Sequence, residues 1–108
     1  MIWKEMKMDA RKIFETCQAL MKERGADYGP AEEMHSQIAR RWSLVLGIPI
    51  DSYTAARMLA EMKLARLDLG FKDDTALDAI NYLAIATEIQ STKNELSAKR
   101  AGKWPSIG

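Results

Sequence analysis

One cysteine and one histidine are all that this chain has of the two side chains that most often hold transition metals. Cys17 alone excludes an intramolecular disulfide and any multi-cysteine zinc site, and it fits a reducing compartment. A single histidine, His35, excludes a histidine-rich metal centre. Charge of one sign is scarce too. Sixteen Lys and Arg against fifteen Asp and Glu leave a net charge of +1, which gives no whole-chain argument for nucleic acid, a membrane surface or an acidic partner. No hydrophobic run approaches the length that spans a bilayer, and no segment repeats or falls into low complexity. The opening MIWKEMKMDARK lacks the continuous apolar core of a secretory leader. The expected location is therefore the cytoplasm, without membrane attachment.

What the chain does have is helical periodicity. At 108 residues, 47% hydrophobic and 29% charged, it reads as one soluble domain able to bury a modest core. The first helix is expected from about Met6 to Arg24, with Ala10, Ile13, Phe14, Cys17, Leu20 and Met21 on its apolar face. Gly25 suits the left-handed position that ends a helix. Pro30 suits the first turn of the next, with Glu32 and Glu33 at its positive end. That second helix, about Ala31 to Leu46, is expected to bury Met34, Ile38, Trp42, Val45 and Leu46. Gly47-Ile48-Pro49-Ile50 stops it, and Asp51 or Ser52 caps a third helix that runs to Leu69. A fourth is expected from near Thr75 to about Ser91. The fold expectation is an all-α four-helix bundle over residues 1–91, doubled in a homodimer. Residues 92–108, with Lys93, Lys99, Arg100, Lys103 and Trp104-Pro105, read as a basic, flexible tail.

The stretch from Tyr53 to Tyr82 carries the chemistry. At about 100° per residue, Ala55, Leu59, Met62 and Leu69 form an apolar stripe on the third helix, widened by Met58 and Ala65. Arg66 projects near the middle of that stripe and Lys63 lies within the wider apolar arc. On the fourth helix Asp78 aligns with Tyr82, Ile85 and Ile89, while Asp74 and Asn81 sit on the adjoining edge. Charges standing where Leu belongs cost several kcal/mol unless paired, so Lys63, Arg66, Asp74 and Asp78 read as an interior polar cluster. Arg24 reads either as a third cation aimed at that cluster or as a helix-end cation held by the dipole. Alternatives stay open elsewhere too. Thr75-x-x-Asp78 has the spacing of a capping box; His35 and Trp42 read either as core residues or as ligand contacts.

Arg24-x-x-x-Tyr28-Gly29-Pro30, then Trp42, then Lys63-x-Ala65-Arg66, then Asp74-x-x-x-Asp78-x-x-x-Tyr82 give an order that resembles a family of small all-helical phage and prophage proteins of unassigned function. Over roughly residues 13 to 90 that family looks like a distant relation of the MazG-type all-α nucleotide pyrophosphohydrolases. The resemblance implies a helical bundle, often oligomeric, that handles nucleotides or their phosphates. MazG-type enzymes hold Mg²⁺ with E-x-x-E on one helix and E-x-x-D on the next, because a hard cation takes several carboxylate oxygens. Here the first position is Glu61-Met62-Lys63-Leu64 and the second keeps only Asp74 and Asp78. The resemblance therefore implies Asp74 and Asp78 as the metal residues and Lys63 and Arg66 as catalytic cations that neutralise charge on the phosphates. Arg24, Tyr28, His35, Trp42 and Tyr82 would contact the ligand. The departure from the family's metal motif favours binding through Arg24, Lys63 and Arg66 over hydrolysis. A second expectation belongs to another class: a non-enzymatic module that docks on a host protein or assembles with itself. Its basis is the further apolar face of the third helix, Ala56, Ala60, Leu64 and Leu67. Nucleic-acid binding through the tail is the weakest reading.

Overall fold

Caps and stops place the helices. In a computed structural model, residue 7, residues 9–28 and residues 30–100 are described, with the side chains of residues 27 and 28 outside that description. Helix α1 spans Ala10–Tyr28, α2 Ala31–Leu46, α3 Ser52–Leu69 and α4 Asp73–Arg100, with no strand among the described residues. The all-α expectation holds. None of these helices is long and apolar enough to cross a membrane.

Two helices keep their expected bounds and two do not. In α2 the N–H of Gly47, at φ 70°, returns to the Ser43 carbonyl at 2.9 Å. The Ser43 hydroxyl also accepts from the Ile50 N–H at 2.8 Å and donates to the Ala39 carbonyl at 2.7 Å, so one side chain ties the helix end to the turn beyond it. Asp51 caps α3 by accepting from the Thr54 N–H at 2.8 Å. By contrast, α1 begins later than Met6, because Asp9 accepts from the Lys12 N–H at 2.9 Å and acts as its cap. It also runs through Gly25 instead of stopping there. A Cβ at Gly25 would meet nothing within 4 Å, so the glycine answers to neither a turn nor a steric need. Helix α4 begins at Asp73 and continues past Ser91 to Arg100. Its last turns have little apolar periodicity but carry i,i+4 links, Gln90 to Asn94 at 2.9 Å and Lys99 to Glu95 at 3.2 Å, which support an exposed helix. The remainder of the expected tail, residues 101–108, lies outside the described residues.

The core is built from small residues. Ala55, Ala56 and Ala60 of α3 are fully buried, Ala56 against Ile85, Ala86 and Ile89 of α4, where Leu77 and Ala79 are buried as well. Alanines let two backbones approach closely. The ion pairs Lys63–Asp78 at 3.0 Å and Lys93–Asp51 at 3.2 Å fix the register of this antiparallel pair. Helix α2 packs on α3, and α1 on α4. The packed side of α3 thus comprises Ala55, Ala56 and Ala60 with the half-buried Leu59, Lys63 and Leu67. Of the expected stripe, Ala55 and Leu59 pack, whereas Met58 and Met62 are partly exposed and Leu69 is 92% exposed. Val45 and Leu46, expected in the core, are also exposed. No large side chain among the described residues is completely buried.

Candidate functional site

Asp78 stands near the start of α4 with both carboxylate oxygens engaged. Oδ1 accepts from the Arg24 guanidinium of α1 at 3.1 Å, and Oδ2 lies 3.0 Å from the Lys63 ammonium of α3. The capping-box reading of Asp78 is therefore corrected. Helix α4 has already begun at Asp73, so Asp78 lies more than a turn inside it and pairs across helices instead. The Asp78 side chain is 18% exposed and that of Lys63 14%, so this pair is sheltered, while Arg24 is about half exposed. Lys63 has three donors and Arg24 five, so each keeps N–H groups beyond those given to Asp78.

These three residues border a cleft of ≈ 850 Å³ between α1, α2 and α4. Met21, Met34 and Ile85 supply apolar wall; Gly25, Pro30 and Glu88 lie at its edges; His35, Asn81 and Tyr82 complete it. His35 is 3% exposed, and its Nδ1 lies 2.7 Å from the Ala31 carbonyl. A carbonyl only accepts, so Nδ1 carries the proton. The imidazole meets the Tyr82 ring edge-on, with centroids 6.0 Å apart. His35 Nε2 and both amide atoms of Asn81 are buried without a hydrogen-bond partner. Each such group costs about 1–3 kcal/mol relative to a satisfied one, which makes the cleft wall the least content part of the core.

Five expected site residues thus come together: Arg24, His35, Lys63, Asp78 and Tyr82. Three do not. Arg66 is exposed on α3, because the stripe on which it lies packs only at Ala55 and Leu59 and is exposed from Met62 onward. Trp42 is half-buried on α2 and does not line the cleft, and Asp74 is exposed in the first turn of α4. The Tyr28 side chain lies outside the described residues. Asn81 was not among the expected site residues. A neutral amide at a helix edge carries no charge signal, and only its position beside Tyr82 on an apolar helix hinted at it.

Cys17 sits behind the site, its thiol 3.8 Å from the Leu77 carbonyl. Burial, and secondarily the negative charge of Asp78, push the thiol pKa up, so it is a packed thiol and not a nucleophile. Of the two carboxylates expected to hold Mg²⁺, Asp78 has both oxygens against cations and Asp74 is exposed in the first turn of α4. Among the described residues no group of three His, Cys, Asp or Glu is placed to hold a metal.

A family model described as a domain of unknown function, DUF6378, matches residues 12–90. The Gene 55 protein of Mycobacterium phage L5 is 29% identical over 87 residues, covering 79% of this chain and 56% of the relative. The chain thus spans little more than half the length of that relative. No solved structure matches.

Proposed function

The chain belongs to the DUF6378 family, and we propose that this member binds a nucleotide or kindred organic phosphate in the cleft between α1, α2 and α4. The observation that carries the reading is the Arg24–Asp78–Lys63 cluster at a concavity large enough for such a ligand. Phosphate oxygens accept from the N–H groups that Arg24 and Lys63 do not spend on Asp78, whose carboxylate offsets the repulsion between the two cations when no ligand is bound. Apolar Met21, Met34 and Ile85 face the uncharged part of the ligand. The reading treats the four helices as a MazG-like bundle working in the cytoplasm, the host's if the chain is phage-encoded. It needs no protein-held metal; in its hydrolytic version the same cations would neutralise charge developing on the phosphates.

The test is a thermal-shift panel of NTPs, dNTPs, NMPs and inorganic tripolyphosphate, with and without Mg²⁺, followed by assay for released pyrophosphate. A ligand that binds only the folded chain raises the melting temperature by mass action. The expected result is a rise with phosphate ligands in the absence of Mg²⁺, lost in Lys63→Met. A flat panel would sink the reading.

A second reading rests on a separate observation. Thirteen large hydrophobic side chains are exposed among the described residues, Leu44, Val45, Leu69 and Phe71 most of all. So much apolar surface on a chain with few large buried side chains favours self-association or docking on a host protein. Sedimentation would show a dimer that Val45→Glu or Leu64→Glu disrupts; a monomer at all concentrations would remove the homodimer.

A further inference from the structure

We propose that the outer side of α3 is a seam that pairs in parallel with α3 of a second copy of this chain. The inference rests on the self-association reading above and adds to it the helix, the direction and the ion pair that join the copies.

Helix α3 carries apolar residues on two sides that lie nearly opposite. Ala56 packs against Ile85, Ala86 and Ile89 of α4, and Lys63 reaches Asp78 from the same side. Met58, Met62, Ala65 and Leu69 lie on the other side, at successive steps of four, three and four residues. That is the heptad spacing of the a and d positions along which two helices pack together. All four are exposed, Met58 and Met62 by 41% each and Leu69 by 92%. The core of a single chain leaves this stripe in water, and a facing helix would remove it.

Charge chooses the partner and its direction. With Met62 and Leu69 at a and Met58 and Ala65 at d, Glu61 and Asp68 fall at g and Arg66 at e. In a parallel pair the g residue of one heptad faces the e residue of the next on the other helix, so Glu61 meets Arg66 of the second copy. Two-fold symmetry makes that pair twice. Glu61, 59% exposed, gives one oxygen to Arg57 at 3.6 Å and keeps the other for the second copy. Arg66 is exposed beside the seam. An antiparallel pair would instead set Glu61 against Asp68 and Arg66 against Leu59, and like charges would oppose it. One copy thus carries both halves of the parallel pairing, as an isologous contact requires.

Sedimentation of the full chain tests the seam, with tripolyphosphate calorimetry as a control on the cleft, which lies on the other side of α3. The expected result is a dimer that Met62→Glu and Glu61→Arg each weaken about tenfold or more. Adding Arg66→Glu to Glu61→Arg should restore its affinity to within about threefold, because the pair re-forms with its signs exchanged. Glu61 and Arg66 are exposed, so these variants keep the fold even where Met62→Glu does not. Direction is read by crosslinking, and the buried Cys17 leaves an added thiol as the accessible one. In the parallel dimer Met58→Cys and Leu69→Cys each bridge to the same residue of the second copy, within the roughly 7 Å between Cα atoms that a disulfide spans. In an antiparallel dimer those like residues stand roughly 16 Å apart, and only a mixture of the two variants crosslinks. Crosslinks confined to the mixture, or a Glu61→Arg defect that Arg66→Glu does not repair, would overturn the parallel seam. A dimer unchanged by Met62→Glu would overturn the seam and leave self-association to another surface. A chain that stays monomeric up to millimolar concentration would overturn the self-association reading with it.

Discussion

Replacing Asp78 with Asn separates the stability of the site from its affinity, because the carboxylate serves the first and opposes the second. The Lys63–Asp78 pair, with side chains 14% and 18% exposed, lies between the exposed pairs worth about 0.2–1 kcal/mol and the fully buried ones whose disruption costs about 3–5 kcal/mol. The Arg24 pair, half in water, belongs with the former. Together they put the cost of Asp78→Asn at about 2–3 kcal/mol, most of it from leaving the sheltered Lys63 ammonium without a counter-charge. For a domain of this size that lowers the melting temperature by about 10–20 °C. Affinity for a polyanion should move the other way. A carboxylate ~7 Å from a phosphate repels each negative charge by about 0.6 kcal/mol in a water-like dielectric. Tripolyphosphate should therefore bind Asp78→Asn about tenfold more tightly, once affinity is corrected for the unfolded fraction. Urea unfolding followed by tryptophan fluorescence gives the first quantity and calorimetry the second. A variant as stable as the parent would refute the sheltered pair. Stability and affinity lost together would show that Asp78 holds the cations in their binding pose, and would refute the repulsion argument.

The other expectations follow from residues around the site. Hydrogen bonds from Thr54, first its hydroxyl and then its backbone N–H, together with the Lys93 ammonium, hold the Asp51 carboxyl below its ordinary pKa. A carboxyl with a depressed folded pKa gives stability that is present above its unfolded value, about 3.9, and is lost as pH falls through the folded one. Asp51→Ala should thus cost about 1 kcal/mol near neutrality and progressively less below pH ~4, as acid unfolding of both proteins would show. Cys17, buried with its pKa raised, should react with a thiol reagent only as fast as the chain opens; rapid labelling of the folded protein would contradict its packing. Arg66→Met should change stability by no more than about 0.5 kcal/mol and leave tripolyphosphate affinity unaltered, because Arg66 is exposed and outside the cleft. A loss of affinity would move the anion site to the outer face of α3.

Where the sequence spoke through polar chemistry, it was legible. Gly47 and Asp51 mark a helix stop and a helix cap whatever surrounds them, and α2 and α3 have the expected limits. Lys63 and Asp78 announced themselves as charges in apolar register, and they meet. The errors arise where packing decides. Ala56 and Ala60 weigh little in a hydrophobic pattern, yet with Ala55 they are the buried face of α3, because small side chains allow the closest approach. Met58, Met62 and Leu69 weigh more and face outward. That inversion is why Arg66 was drawn into the interior. Helix α4 outran its apolar periodicity because side-chain pairs one turn apart sustain it, and α1 passed through Gly25 because nothing there demands a left-handed residue.

The two functional readings occupy different surfaces of the molecule. The most exposed hydrophobics, at the end of α2 and at the turn between α3 and α4, are absent from the cleft wall. The cleft itself is a poor seat for an apolar helix. Such a partner would take the half-exposed Arg24 guanidinium and the N–H groups of Lys63 that Asp78 does not use out of water without pairing them, which costs several kcal/mol. A small anionic ligand pairs them. Protein association, where it occurs, therefore belongs to the outer apolar ends, and loss of dimerisation in Val45→Glu should leave ligand affinity in the cleft unchanged. A variant that lost both would join the two surfaces and would mean that a second copy of the chain completes the site.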